Sequence, residues 1–330
     1  MTLAILLVAG CSSHKADAPP PTISPARAAE SPPVTAAPAG RVLPAPAGAF
    51  AALVDPATRA LVVLSADAPD RAVVTVVGAD GVPTPIPLPG GATAMSADGP
   101  GRVAVALRGG YSLVDIRTRA VSRVPIAGHE DAEFTAIARR GDGRMVLGDA
   151  GGTVYTLSLD NEVAASLKIF ARVDDIVTQG DTAVVLDRGQ TSVTSLNPEG
   201  TSADLALRAG DGATTMVADP NGRVLVADTR GGELLVYGVD PLMLRQRYPV
   251  PDAPYGLTAS GGKKTGLAWV AQTATNTVVG YDLATGIPVE KVRYRTVQQP
   301  NTLAFDDASD TLYVVSGDRG GVQVIPGASR

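Results

Sequence analysis

The chain repeats itself. Apolar runs of strand length recur as LVVLS at 61–65, VAVAL at 103–107, MVLGD at 145–149, AVVLD at 183–187, VLVAD at 224–228, LAWVA at 267–271 and LYVVS at 312–316. Their starts lie 42, 42, 38, 41, 43 and 45 residues apart. A unit of that length cannot bury its own apolar face alone, so neighbouring units must stack. Turn chemistry precedes the runs, as in Asp219-Pro220-Asn221-Gly222, and alternating strands follow them, among them YSLVDI at 111–116, SVTSL at 192–196 and ELLVYGV at 233–239. More polar segments come next, such as VSRVPI at 121–126, ADLAL at 203–207 and EKVRY at 290–294, and these suit an exposed outer edge.

Seven such units, each of four strands, predict an all-β fold: a seven-bladed β-propeller. The 36 Gly and 26 Pro among 330 residues agree, because a helix-rich chain would not tolerate so many breaks. The seventh unit stops at Arg330 after its third strand, while RVLPAP at 41–46 stands ahead of the first unit without a blade of its own. The N-terminal strand is therefore expected to complete the last blade and close the ring, making 41–330 one domain.

Charge and rare residues exclude several functions. The formal net charge is -5 and no Lys/Arg-rich run occurs, so nucleic acid is not an expected partner. One Cys and two His allow no disulfide within the chain, and they make a Cys/His zinc site or a Ser-His-Asp triad through His14 or His129 hard to assemble. No catalytic residue, metal ligand or cofactor is assigned, and a monomer is expected.

Aligning the seven units places Phe50, Thr93, Phe134, Asp174, Thr214, Tyr255 and Asn301 at the starts of the innermost strands, with Glu133 and Asp175 adjacent. Asp174, Asp175, Tyr255, Asn301, Glu133, Phe134 and Thr214 are the candidate ligand-binding residues. They would form an acidic, partly aromatic rim suited to a cation, a sugar or a basic segment of a partner. The ends of the second strands add Asp149, Asp187, Asp228, Gln272 and Ser316. Those aspartates are read as turn residues that accept backbone hydrogen bonds. His129, beside Glu130 and Asp131, is read as a surface imidazole.

Ahead of the repeats, the short apolar run LAILLVA at 3–9 leads through Gly10 to Cys11, the one cysteine. Val8-Ala9-Gly10-Cys11 resembles the cleavage box of bacterial lipoprotein signal peptides. That resemblance implies removal of residues 1–10, a diacylglyceryl group on Cys11 and attachment to the outer face of the cytoplasmic membrane. Residues 11–40 then read as a flexible tether, rich in Ala and Pro, with Pro19, Pro20, Pro21, Pro25, Pro32, Pro33 and Pro38 and almost no large apolar side chain.

Within the repeats, WVAQTATNTVVGYDL at 269–283, followed by Ala284-Thr285-Gly286, is similar to YVTN or YncE-type propeller repeats, and DPNGRVLVADTRGGELLVY at 219–237 is similar to NHL repeats. A WD40 reading fits poorly, since Trp269 is the one Trp and Gly128-His129 the one Gly-His pair. Lactonases of the gluconolactonase type carry a Glu on an inner strand, and Phe50-Ala51-Ala52-Leu53-Val54 has none. The functional expectation is a lipid-anchored binding module or scaffold for an envelope protein or small ligand. The alternative is a metal-dependent hydrolase or lactonase.

Overall fold

A computed structural model describes residues 21–68, 70–261 and 266–330. The apolar run at 3–9 and Cys11 lie outside the described residues. Among those described there are 28 strands and no helix. The strands form seven sheets of four, each an antiparallel meander, as the period requires. In six blades the strands run in chain order from the centre outward. Blade 1 is typical, with Ala49–Val54 innermost, then Leu61–Ala68, Arg71–Val77 and Pro83–Pro87.

The seventh blade is composite. Pro300–Asp306, Thr311–Ser316 and Val322–Pro326 are joined at the outer edge by Arg41–Leu43. Arg41 faces Val324 and Leu43 faces Val322 in register. A sheet edge that would otherwise lie open is paired, and the two ends of the domain hold each other.

The core lies between blades. Second strands such as Val184, Leu186, Val224 and Val226 are fully buried because neighbouring sheets cover both their faces, which explains their near-continuous apolar runs. Between blades 6 and 7, Trp269 is fully buried and stacks between Tyr294 and Phe305, with ring centroids 6.3 and 5.9 Å away. Gly280 makes room for it, since a Cβ there would lie 2.9 Å from the indole. Truncating such a residue to Ala costs about 3–5 kcal/mol.

The tether read over 11–40 is corrected for its described part. Residues 22–39 form an ordered strap along one face of the ring. The Ile23 N–H donates to the Gly189 carbonyl at 2.7 Å, and Arg230 Nη2 donates to the Ser24 carbonyl at 2.6 Å. Ala26 is buried against Gly212, and its carbonyl accepts from Arg188 Nη2. Buried Ser31 donates through Oγ to the Thr273 carbonyl at 2.6 Å, and its N–H donates to Gln299 Oε1 at 3.0 Å. Asn276 Nδ2 then holds the Pro32 carbonyl at 2.7 Å. Composition misleads here because polar donors on blades 4 to 7, rather than apolar burial, order the segment.

Candidate binding site at the upper channel mouth

The seven inner strands start at one face of the ring, called upper here. The strap lies on that same face. Six of the seven inner strands carry an irregularity near their start, where a residue or two is left out of the pairing with the second strand. The register skips Phe50, Thr93, Thr135, Thr214 and Asn301, and in blade 6 both Tyr255 and Gly256. Asp174 holds the same place in blade 4, where its N–H donates to the Leu186 carbonyl ahead of Asp175–Gln179. A bulge re-aims one side chain, and Phe50, Thr93, Thr135, Tyr255 and Asn301 line the axis at these places.

The axis is a channel of about 610 Å³. Phe50, Thr93, Thr135, Asp174, Asp175, Tyr255 and Asn301 line its upper part. Apolar residues such as Met95, Ile137, Ile176, Met216 and Leu257 line the wall below, and Arg139 stands at the lower end. Threonines tie neighbouring inner strands together around this wall. Thr93 Oγ1 donates to the Phe134 carbonyl, Thr135 Oγ1 to that of Val173 and Thr215 Oγ1 to that of Tyr255.

Asp174 and Asp175 differ despite being adjacent. Asp174 is satisfied, accepting from Arg172 Nε at 2.9 Å and from the Arg188 N–H at 2.9 Å. Asp175 borders the channel, where burial pushes its carboxyl up to about 7 and the neighbouring Asp174 adds to the rise. The N–H groups of Ile176 and Met216 and the Arg188 guanidinium pull the other way without overcoming the desolvation. Tyr255 and Asn301 complete the rim, and Gln299 Nε2 bonds both Asn301 Oδ1 and the strap carbonyl of Ala29 at 2.9 Å.

Four of the seven candidate residues thus meet at the mouth, and three do not. Phe134 is fully buried and packs edge-on against Tyr155 at 5.6 Å, between blades 2 and 3; Thr135 takes its place at the rim. Thr214 occupies its bulge, but its buried hydroxyl pairs with Thr229 Oγ1 at 2.6 Å. Glu133 is exposed on the loop entering blade 3, where its backbone bridges to Arg108. His129 stacks edge-on against Tyr155 at 4.6 Å.

The second-strand aspartates serve the loops. Asp228 accepts from the N–H groups of Asp211, Gly212 and Gly231 at 2.8–2.9 Å. Gly210, at φ +72°, must lack a side chain because a Cβ would overlap that carboxylate. Asp187 caps Ala171 and Gln190 at 2.7 and 2.9 Å, and Asp149 takes the Thr153 N–H and the Tyr155 hydroxyl at 2.9 Å.

Sequence reasoning missed a second ring, on the lower face, that joins blades. Asp55 accepts from Gly101 N–H at 2.8 Å, Asp98 pairs with Arg139 at 3.3 Å, Gln179 donates to the Asp219 carbonyl at 2.7 Å, and Asp306 pairs with Arg59 at 2.8 Å. The signal was an Asp opening several of the first hairpins, as in Asp55-Pro56 and Asp219-Pro220. Among the described residues no group of three or more His, Cys, Asp and Glu side chains is arranged to hold a metal ion.

No known protein family and no curated protein matches the chain. Solved structures do. A streptogramin B lyase structure superposes with a TM-score of 0.68 at 10% identity, covering 87% of this chain and 96% of that one. Virginiamycin B lyase from Staphylococcus aureus gives 0.67 at 12% identity, over 84% and 94% of the two chains. The WD40 domain of Toxoplasma gondii coronin gives 0.64 at 15% identity, over 88% and 83%. Likeness at such low identity establishes the propeller and nothing finer.

Proposed function

We propose that the chain is a lipid-anchored extracytoplasmic binding module, and that its upper channel mouth takes a small ligand or a segment of an envelope protein. The observation that carries this reading is the contrast around the channel. Asp175 is the carboxyl raised toward neutrality at the head of a 610 Å³ cavity, which Tyr255, Asn301 and Phe50 line from other blades. A carboxyl that burial makes costly to ionise is stabilised by an incoming donor or cation. Anchoring rests on the Val8-Ala9-Gly10-Cys11 box, and Cys11→Ala is expected to leave unprocessed protein or to release it from the membrane fraction.

The binding reading is tested by cross-linking in intact envelopes, comparing the wild type with a variant carrying Asp174→Ala, Asp175→Ala and Tyr255→Ala. A specific partner or ligand lost in the variant supports the reading; equal capture by both places binding elsewhere. A second reading, an enzyme acting at the same mouth, is favoured by the two lyase structures that share the fold. Its test is a rise in melting temperature with added Ca²⁺ or Mg²⁺ that Asp175→Ala removes, followed by turnover assays.

A further inference from the structure

We infer that the strap turns the upper face of the propeller, with its channel mouth, toward the membrane. The inference rests on the anchoring reading above and adds an orientation to it. With residues 12–40 free, almost thirty residues would separate Cys11 from the ring, and either face could meet the bilayer. The strap shortens that slack. Its first hydrogen bond joins Ile23 to Gly189 at the upper end of blade 4, so twelve residues lead from Cys11 to a fixed point on the upper face. Twelve residues reach at most about 40 Å even when fully extended. The body of the propeller lies between that fixed point and the lower face.

The docking is built from several independent contacts. Arg230, Arg188, Gln298, Gln299 and Asn276 all donate to strap carbonyls, and Ser31 and Ala29 donate back through their N–H groups. Charge where the strap begins also suits an anionic bilayer. Lys168 is exposed at the upper end of its strand, and Arg208 and Arg230, exposed nearby, give their hydrogen bonds to backbone carbonyls rather than to carboxylates. The ligand of the mouth would then be taken from the layer between protein and bilayer, leaving the lower face to the surrounding compartment.

The test uses full-length acylated protein reconstituted in phosphatidylglycerol–phosphatidylcholine vesicles that carry a headgroup-linked energy acceptor. A donor dye is placed by Asp131→Cys on the upper side of blade 3, or by Asp160→Cys on the lower side of the same blade; both positions are exposed. Transfer from the Asp131→Cys protein is expected to exceed that from the Asp160→Cys protein at least two-fold. Adding Arg188→Ala, Arg230→Ala and Gln299→Ala, which frees the strap, should bring the two toward equality. Equal transfer in the strapped, membrane-bound protein, or greater transfer from Asp160→Cys, overturns the orientation while leaving the anchor standing. Mass spectrometry that finds no lipid on Cys11 overturns both.

Discussion

Two sets of carboxylates share the upper face, and they are used in opposite ways. At the ends of second strands, Asp187 and Asp228 accept backbone N–H groups of the loops from the preceding blade, and Asp149 ties the Thr153 N–H and the Tyr155 hydroxyl within blade 3. Asp175, the first residue of the inner strand Asp175–Gln179 of blade 4, borders the channel with a carboxyl raised by desolvation. A step from second strand to inner strand separates an acid that ties loops in place from one whose ionisation is disfavoured by burial. Acidity at a propeller mouth is therefore a poor guide to function until hydrogen-bond saturation is counted.

Removing the saturated kind should do the most damage. Asp228→Ala leaves three N–H groups unpaired between Gly210 and Gly231, and a loss of roughly 3–5 kcal/mol is expected in denaturant unfolding. Asp149→Ala, which strands one N–H and the Tyr155 hydroxyl, should cost about 2 kcal/mol in the same measurement. An unchanged midpoint for either would erase the distinction between the two sets.

Asp175→Asn should move the other way. Between pH about 4 and 7 the folded chain keeps a proton on Asp175 that the unfolded chain has released, so wild-type stability falls as pH rises through this window. The Asn variant lacks that contribution. It should be more stable than the wild type by up to about 4 kcal/mol at pH 8, and the difference should vanish near pH 4. A gap independent of pH would mean that Asp175 is not strained. The smallest effect belongs to Arg188→Ala, which removes a positive charge facing Asp175 and should raise its titration midpoint further, read by carboxyl NMR. A fall in the midpoint would show that Arg188 acts on Asp175 chiefly through the strap.

The fold was open to sequence reading because the ring is written in repeated, contiguous hairpins. MVLGD, SVTSL and ELLVYGV coincide with the strands Met145–Asp149, Ser192–Leu196 and Glu233–Val239, and the closing strand follows from a unit left one strand short. The rim was legible to within one residue. Alignment chose Phe134, one residue short of Thr135, the position that the register skips and that lines the axis. The strap was not legible at all. Its Ala, Pro and Ser carry no apolar signal, and the residues that hold it, Arg188, Thr273 and Gln299 among them, lie some 160 to 270 positions away in the chain.

The composite seventh blade also sets an order of events during synthesis. Arg41–Leu43 is the first strand of the domain to emerge in any N-to-C passage of the chain, and its partner Val322–Pro326 is the last. Six blades are cut from continuous stretches and can form one after another as the chain emerges, each offering its flank to the next. The seventh waits until Val322–Pro326 has followed, with the earliest strand held unpaired throughout. The ring is therefore assembled open and locked in a final step that joins the oldest part of the domain to the newest.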